Sequence, residues 1–340
     1  MSIALPLGLP ARETLAAERV VVLTKDELRR RPGRPLRVCL VNLMPNKIVT
    51  EAQFCRLLGG ASIAVAVTLC MPDSYQSKTT PAAHLDSFYQ PWTAIRNEAF
   101  DGLVVTGAPI ETLPFADVTY WAGLRAIFDW AKAKIGNSLY ICWAAQAALH
   151  HFHAVPKHPL RAKLSGVYLH RASRSDSYLL KGLGESFPVP VSRHTEIRAA
   201  DLPAFAGLTI LADSSDAGLC LVEDRENRAV YMFNHLEYDA GTLRDEFLRD
   251  RLAGKPARIP ANYFPQDDPS RAPKNVWRPF AHLLFRNWLG EMQRTAFPRE
   301  IGKPLFDEAW FSLMQGNPAS HTATKTNLPV VLQSNAAARS

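Results

Sequence analysis

With 340 residues, of which 47% are hydrophobic, the chain can bury a full core, so a disordered or fibrous protein is excluded. The longest apolar runs, at residues 38–44 and 63–71, stop well short of the ~20 residues that a membrane helix requires. The net charge of +7 is concentrated in arginines at 29–37, where interrupting prolines and a glycine favour a solvated loop over a nucleic-acid site.

The N-terminal segment and the cysteines indicate the cellular compartment of the protein and the kinds of site that it can contain. The N-terminal segment carries Arg12, Glu13, Glu18 and Arg19 before any sustained apolar stretch, so it lacks the arrangement of a secretory signal. We therefore expect a cytoplasmic location. Five cysteines are scattered without a C-x-x-C pair, which argues against structural disulfides and against a cysteine-ligated metal site.

Continuous apolar runs bounded by turn residues predict six strands. They cover residues 36–43, 62–70, 102–106, 138–141, 208–212 and 229–233. Segments with helical spacing lie at residues 51–58, 82–88, 119–132, 143–152 and 280–291. Continuous runs that alternate with helices are typical of parallel strands covered on both faces, so we expect a doubly wound, mostly parallel α/β sheet. The loops at the carboxyl ends of its strands should form the active site.

Several segments do not fit this alternation. Residues 182–203 are rich in proline and are predicted to leave the sheet, and residues 258–279 are predicted to form a loop before the last helix. We expect an N-terminal extension over residues 1–35, a catalytic domain over residues 36–296, and a polar, disordered tail over residues 297–340.

A cysteine, Cys142, stands between a predicted strand and an alanine-rich helix. A strand–turn–helix junction exposes a nucleophile, and the unpaired N–H groups of a helix N-terminus favour a thiolate. A lone cysteine beside a tryptophan is more often an inert core residue, so this segment alone does not decide the matter.

The last predicted strand is followed at once by His235 and Glu237. Residues two apart on an extended chain point to the same side, so we expect Glu237 to orient the imidazole. A His-x-Glu segment alone is often only a surface pair. Combined with Cys142 upstream, however, it has the Cys, His, Glu order of the class I glutamine amidotransferase-like folds, which this chain therefore resembles.

The strand at 102–106 ends in Thr-Gly-Ala-Pro, and this turn resembles the oxyanion loop of those folds. The resemblance implies that the backbone N–H groups of Gly107, Ala108 and Trp143 stabilise an oxyanion. An ordinary turn is the alternative, since glycine and proline end most strands.

Six ordered segments resemble the homoserine O-acyltransferase family over roughly residues 15–295. They are Asn-Leu-Met-Pro at 42–45 with Lys47, Thr-Gly-Ala-Pro at 106–109, Ile-Cys-Trp at 141–143 with Gln-Ala-Ala at 146–148, Lys-Leu-Ser-Gly-Val-Tyr at 163–168, His-x-Glu-Tyr-Asp at 235–239, and Asn-Tyr-Phe-Pro at 262–265. The resemblance implies a flavodoxin-like α/β fold of the class I glutamine amidotransferase type, with N- and C-terminal extensions.

The resemblance also implies catalytic roles. Cys142 would carry the acyl group as a thioester, His235 would be the general base, and Glu237 would belong to the same catalytic unit. The family commonly has Gly-His-Pro-Glu-Tyr-Asp here, so Asn234 and Leu236 depart from its pattern at positions that restrict the backbone.

The resemblance also implies which residues line the substrate pocket. The resemblance places Lys47 near the nucleophile and lines the amino-acid pocket with Lys163, Ser192 and Arg249. It also makes Glu111 the position that discriminates acyl donors. A glycine there leaves room for a succinyl chain, whereas glutamate fills the space and repels the succinate carboxylate.

The expected activity is therefore ping-pong transfer of an acetyl group from acetyl-CoA to the hydroxyl of L-homoserine, which gives a methionine precursor. We expect small-molecule substrates, no cofactor, no metal, and no nucleic-acid or membrane partner, with a homodimer left open. Succinyl-CoA as donor and L-serine as acceptor remain alternatives, because a pocket distinguishes one methylene by only ~1–3 kcal/mol.

Other activities share the order of the candidate residues. A glutaminase or amidotransferase is one, but its nucleophile is usually flanked as Gly-x-Cys-x-Gly, whereas Tyr140 and Ala144 stand here. A peptidase or chaperone of the same fold and an inactive binding module are weaker alternatives.

Overall fold

A computed structural model describes residues 2–297 of the chain, apart from residues 78, 175 and 205. Within these residues twelve strands form one sheet. The strands are β1 (Ser2–Ala4), β2 (Val21–Leu23), β3 (Leu36–Val41), β4 (Ala64–Met71), β5 (Tyr89–Pro91), β6 (Gly102–Val105), β7 (Asn137–Ile141), β8 (His158–Ala172), β9 (Ser186–Glu196), β10 (Leu208–Ser214), β11 (Gly218–Asp224) and β12 (Ala229–Met232).

The α-helices of the same residues lie mostly between strands. They are α1 (Ala11–Ala17), α2 (Lys25–Arg29), α3 (Lys47–Leu58), α4 (Ala82–Phe88), α5 (Trp92–Ile95), α6 (Trp121–Lys134), α7 (Trp143–His153), α8 (Thr242–Leu252) and α9 (Arg278–Ala296). No helix in the described part of the chain combines the length and apolar character needed to cross a bilayer.

The sheet has a parallel part and an antiparallel part. Its order is β2-β1-β4-β3-β6-β7-β12-β11-β10-β8-β9, with β5 beside β4. Neighbours from β2 to β12 run parallel, as does β5 with β4. The strands from β12 to β9 pair antiparallel. The predicted, mostly parallel α/β sheet is therefore confirmed, although the strand predicted at 208–212, now β10, is antiparallel.

The central parallel strands are buried along their whole length. Every residue of β6, β7 and β12 is buried, as expected of continuous apolar runs in a sheet covered on both faces. The covering helices form two groups, with α3 packed against α1 and α9, and α6 packed against α7. This packing holds the carboxyl ends of the central strands in a fixed frame.

The prediction that residues 182–203 leave the sheet is wrong. Within that stretch β9 pairs along much of β8, from the register Glu196 with His158 to Ser186 with Arg171. The strand lies at the end of the sheet. Because an edge strand needs ladder donors on one side only, it tolerates Pro188 and Pro190, which lack an N–H.

The predicted domain boundaries stay a prediction. Two strands from the predicted N-terminal extension, β1 and β2, belong to the same sheet and continue it beyond β4. The tail predicted over residues 297–340 lies outside the described residues, apart from residue 297.

Gly166 allows a close approach of two backbones beside the antiparallel sheet. Ala261 donates its N–H to the Ser165 carbonyl at 2.9 Å and accepts from the Val167 N–H at 2.9 Å. A Cβ added at Gly166 would lie 2.4 Å from the Ala261 carbonyl oxygen and 2.8 Å from its nitrogen. The glycine of the Lys-Leu-Ser-Gly-Val-Tyr segment is thus needed to hold the loop before α9 against β8.

We predict that Gly166→Ala lowers the free energy of unfolding by about 1–3 kcal/mol, because rigid backbone atoms would have to move apart. Urea denaturation of the two proteins measures the difference. Gly290→Ala is the matched control, since a Cβ there meets nothing within 4 Å and a helical alanine is favoured over glycine. Equal stability of the two variants would contradict the proposed contact.

Candidate active site

Loops at the carboxyl ends of parallel strands converge on one cavity. Gly107 and Ala108 follow β6, Cys142 follows β7, and His235 follows β12. All four line a cavity of about 550 Å³. The position agrees with the general rule that open α/β sheets bind ligands beyond the carboxyl ends of their strands.

Cys142 occupies a strained turn between β7 and α7. Its φ of 50° and ψ of −114° lie in a region that residues with a side chain rarely adopt. The Cys142 N–H donates to the Met232 carbonyl at 2.6 Å, which ties this turn to the end of β12. The cysteine is only 2% exposed, and it faces the cavity at the start of a helix.

The loop after β6 passes close over the cysteine and the histidine. A Cβ added at Gly107 would lie 3.2 Å from the Cys142 Cβ and 3.6 Å from the His235 Cε1. The Thr106 hydroxyl anchors this loop, since it accepts from the Leu43 N–H at 2.8 Å and donates to the Gly107 carbonyl at 3.1 Å. The backbone of the loop is therefore fixed beside the sulfur.

Of the predicted oxyanion donors, Trp143 contributes only its backbone to this region. Its side chain is fully buried in the core. As the first residue of α7 it has an N–H without an intrahelical acceptor. Together with the backbone of Gly107 and Ala108, this N–H forms the group of candidate donors beside Cys142.

His235 and Glu237 are brought together by a turn. The imidazole Nδ1 lies 2.6 Å from the Glu237 Oε1, and both residues are buried. The extended-chain explanation for this pairing is wrong, because the chain turns after β12 and the Tyr238 N–H donates to the His235 carbonyl at 3.3 Å. With Nδ1 held by the carboxylate, Nε2 is left for proton transfer.

The environment of His235 favours a proton on the imidazole. Burial alone would lower its pKa, but the neighbouring Cys142 sulfur and Glu237 carboxylate raise the pKa of His235 well above its ordinary value. The ring of Tyr238 stacks on the imidazole, with ring centroids 4.2 Å apart and planes 17° apart. The histidine is therefore oriented, and its surroundings stabilise the charged form of the ring.

A charged network forms another part of the cavity wall. The Lys163 Nζ lies 3.1 Å from the Glu246 Oε2 and 3.0 Å from the Asp250 Oδ2. Glu246 also accepts from the Ser192 hydroxyl, and from the Tyr238 hydroxyl at 2.7 Å. Burial opposes ionisation of Glu246, but Lys163 and these hydrogen bonds lower its pKa. Lys163 and Ser192 thus meet at a carboxylate that the sequence analysis missed.

The helical spacing of the sequence could have identified Glu246 as a candidate residue. It lies one helical turn before Arg249 and Asp250 on α8, and residues three and four apart share a face of a helix. Arg249 lies at the rim of the cavity with its side chain 59% exposed, and its Nη2 contacts the Asp250 Oδ1 at 3.0 Å.

Glu111 lines the same cavity and is only 9% exposed. Burial raises the pKa of its carboxyl group, against the attraction of His194, His235 and Lys163. The Lys157 ammonium donates to the Glu111 carbonyl and fixes the loop that carries it. Glu111 therefore shares the cavity with Cys142 and His235.

Lys47 lies apart from these residues and does not line the cavity. Its buried ammonium donates to the carbonyls of Asn42 and Met44 and lies 4.3 Å from the centroid of the Tyr75 ring. Burial lowers the pKa of Lys47 to about 7, opposed by the charge of Glu51. In this structure Lys47 supports the loop after β3.

The two departures from the family pattern are packed into the interior. Asn234 accepts from the Arg193 Nη1 at 2.5 Å, and its amide nitrogen lies 3.1 Å from the His170 Nε2. Leu236 is 1% exposed. Among the residues that the structure describes, no group of three or more His, Cys, Asp or Glu could hold a metal ion.

Comparisons of the sequence with known proteins point to one family. The profile of the homoserine O-succinyltransferase family matches residues 2–297. The chain is 48% identical over 305 residues to a homoserine O-acetyltransferase of Brucella canis, covering 89% of this chain and 100% of that protein. The homoserine O-acetyltransferase of Brucella melitensis biotype 1 is similar to the same extent.

Solved structures with a similar fold are distant in sequence. The crystal structure of SMU.1228c has a TM-score of 0.52 at 14% identity, covering 76% of this chain and 100% of that chain. A glutamine amidotransferase from Thermotoga maritima has a TM-score of 0.47 at 14% identity, covering 76% and 99%.

Proposed function

The chain belongs to the homoserine O-succinyltransferase family and is an acyltransferase, and from this premise we propose that it transfers an acetyl group from acetyl-CoA to L-homoserine. The observation that supports the chemistry is the arrangement of Cys142, His235 and Glu237 under the loop of Gly107. The product, O-acetyl-L-homoserine, would serve methionine biosynthesis.

The first half of the proposed reaction acylates the cysteine. The Cys142 sulfur attacks the thioester carbon of acetyl-CoA, and the N–H groups of Trp143 and of the Gly107 loop stabilise the oxyanion. The bond between that carbon and the sulfur of coenzyme A then breaks. The departing thiolate takes the proton held by His235, whose other nitrogen is bonded to Glu237.

The second half transfers the acetyl group to the acceptor. The hydroxyl oxygen of L-homoserine attacks the thioester on Cys142, and His235 accepts the hydroxyl proton. The carbon–sulfur bond breaks and the sulfur returns to its starting state. Glu237 holds the imidazole in one orientation through both halves, so a single base handles the proton each time.

The wall of the cavity suits the two charges of an amino acid. Lys163 is already held by Glu246 and Asp250, whereas Arg249 contacts Asp250 through Nε and Nη2 and keeps Nη1 for another partner. We therefore assign the α-carboxylate of the acceptor to Arg249. The Ser192 hydroxyl and the Glu246 carboxylate lie beside it as candidate partners of the amino group.

Glu111 supports acetyl over succinyl as the transferred group. It is buried in the cavity wall, so a longer acyl chain would have to displace it. Because burial raises the pKa of Glu111, its volume contributes to this selection as well as its charge. The family description names succinyl and the similar Brucella proteins are named for acetyl. The buried position of Glu111 in the cavity supports acetyl for this chain.

The setting of the reaction is part of the same proposal. Acetyl-CoA is a co-substrate, and none of the proposed steps needs a further cofactor. All five cysteines are free in the structure, which fits a reducing cytoplasm. A homodimer is compatible with this activity.

We predict that acetyl-CoA without acceptor leaves one acetyl group on Cys142, visible by intact-protein and peptide mass spectrometry. Cys142→Ser should abolish the adduct and the release of free coenzyme A thiol. His235→Asn should slow turnover by roughly 10²–10⁴-fold, since it removes the general base.

Cys55→Ala is the matched control, because Cys55 is fully buried in α3 outside the cavity, and it should keep the adduct. An acetyl group found on another residue, or turnover in Cys142→Ser, would contradict the acyl-enzyme. Ammonia release from glutamine without thiol release would instead favour a glutaminase. Parallel assays with L-homoserine and L-serine identify the acceptor.

We predict that Glu111→Gly raises kcat/KM for succinyl-CoA relative to acetyl-CoA by about tenfold or more, because it removes both volume and charge. Steady-state assays with the two donors measure the ratio. Glu111→Gln keeps the volume and removes the charge, so we expect it to shift the ratio less than glycine does. An unchanged ratio in Glu111→Gly would exclude the assigned role.

A further inference from the structure

A second cavity, of about 260 Å³, adjoins the active-site cavity. The residues that line both are Arg161, Ala162, Lys163, Asp250 and Pro256. The second cavity continues along β8 and the segment after α8, where it is also lined by Phe247 and Arg258. The two cavities therefore share a wall and together form one groove, with Cys142 in the first cavity.

The outer part of this groove carries unpaired positive charge. Arg161, Lys255 and Arg258 are exposed, and their side chains have no ion pair or hydrogen bond within the described part of the chain. The acidic residues of the wall, Glu246 and Asp250, are already paired with Lys163 and Arg249. The charge left over at this end of the groove is positive, so it attracts anions.

We propose that Arg161, Lys255 and Arg258 bind the phosphate groups of the acyl donor's coenzyme A portion. This inference rests on the proposed function, which places the thioester at Cys142 and requires the rest of a long donor to lie in a connected groove. Guanidinium and ammonium groups are suitable phosphate ligands. Because each exposed contact is weak, several together would bind the donor and still let coenzyme A leave.

The test compares acetyl-CoA with S-acetyl-pantetheine, which has the same thioester and pantetheine arm but lacks the nucleotide and its phosphates. We expect the triple variant Arg161→Gln, Lys255→Gln, Arg258→Gln to lower the ratio of kcat/KM for acetyl-CoA to that for S-acetyl-pantetheine by about tenfold or more. Arg171→Gln is the matched control, since Arg171 is an exposed arginine of β8 that lines neither cavity.

Failure of the phosphate site and failure of the proposed function give different results in this test. If the unaltered protein acetylates L-homoserine from both donors and the triple variant has the same donor ratio, the phosphate site is wrong and the proposed function stands. If the unaltered protein transfers acetyl from neither donor, the proposed function fails. A loss of activity that is equal for both donors would also overturn the phosphate site.

A second inference comes from a buried arginine behind the catalytic pair. Arg193 on β9 is 2% exposed, and no carboxylate within the described residues forms an ion pair with it. Its Nη1 donates to the Asn234 side-chain oxygen and its Nη2 to the Ala217 carbonyl. A buried charge without a counter-ion is costly, so its retention calls for a function.

The hydrogen-bond partners of Asn234 fix the orientation of its side-chain amide, because they determine which atom accepts and which donates. Its oxygen accepts from Arg193, and its nitrogen donates to the His170 Nε2 at 3.1 Å. The His170 Nδ1 donates to the Tyr168 carbonyl at 3.0 Å, and burial lowers the pKa of His170 to about 4, so the ring is neutral. Asn234 is thereby locked immediately before His235.

We infer that Arg193 is a positioning residue that fixes Asn234 and, through it, the backbone that leads into His235. The inference does not depend on the acyl donor, because any reaction of the thiolate would reveal it.

The test is the rate of alkylation of Cys142 by iodoacetamide as a function of pH, followed by peptide mass spectrometry. We expect Arg193→Gln to slow alkylation several-fold at neutral pH, and Arg193→Lys to restore part of the rate. Asn234→Ala should slow alkylation to a similar extent, because it removes the side chain that Arg193 holds.

Arg198→Gln is the matched control, since it removes an arginine charge just after β9 whose side chain is 56% exposed, and its profile should match the unaltered protein. Thermal denaturation shows which variants are folded. Should Arg193→Gln fail to fold, Asn234→Ala decides, because it leaves Arg193 in place. A folded Asn234→Ala that is alkylated at the rate of the unaltered protein would refute the positioning role.

Discussion

The parallel pairing of β7 with β12 is the constraint on which the site depends. Its register places Ile141 opposite Met232, so the two strands end at the same level. The Cys142 N–H then donates to the Met232 carbonyl, which ties the strained turn at Cys142 to the end of β12. Because His235 follows only three residues after Met232, the sheet itself brings the imidazole of the proposed base to the sulfur of the proposed nucleophile. No long or flexible segment has to close for the pair to form.

The antiparallel part of the sheet turns this pair into a pocket. It carries β8 and β9, whose residues Lys163 and Ser192 face Glu246 on α8. The carboxylate joins three elements that are far apart in sequence, so the wall is rigid without a covalent link. The close approach at Gly166 holds the next loop against the same strand. The parallel strands thus carry the proposed catalytic residues, and the antiparallel strands β8 and β9 carry part of the charged wall of the cavity.

The sequence predicted the parallel strands β3, β4, β6, β7 and β12, whose signal is local, but not the short parallel strands β1, β2 and β5. Fully buried strands such as β6 and β7 are continuous apolar runs, and the turn residues after them can be read directly. It did not predict β8, whose exposed and buried residues are mixed along its length, or β9, whose prolines argue against a strand until its edge position is known. Register and edge position are non-local properties, and a single sequence does not contain them in readable form.

The same distinction separates the candidate residues. Cys142, His235 and Glu237 follow strand ends and could be proposed from the sequence, whereas Arg193 and Glu246 derive their meaning from partners more than 40 positions away. Lys47 is the opposite case, because the sequence suggested a role that its contacts in the structure do not support. Its place in a short motif suggested a pocket residue, but its ammonium is used by the carbonyls of Asn42 and Met44. A charged side chain is available to substrate only where the fold leaves its hydrogen-bonding capacity unused, and that depends on the tertiary structure.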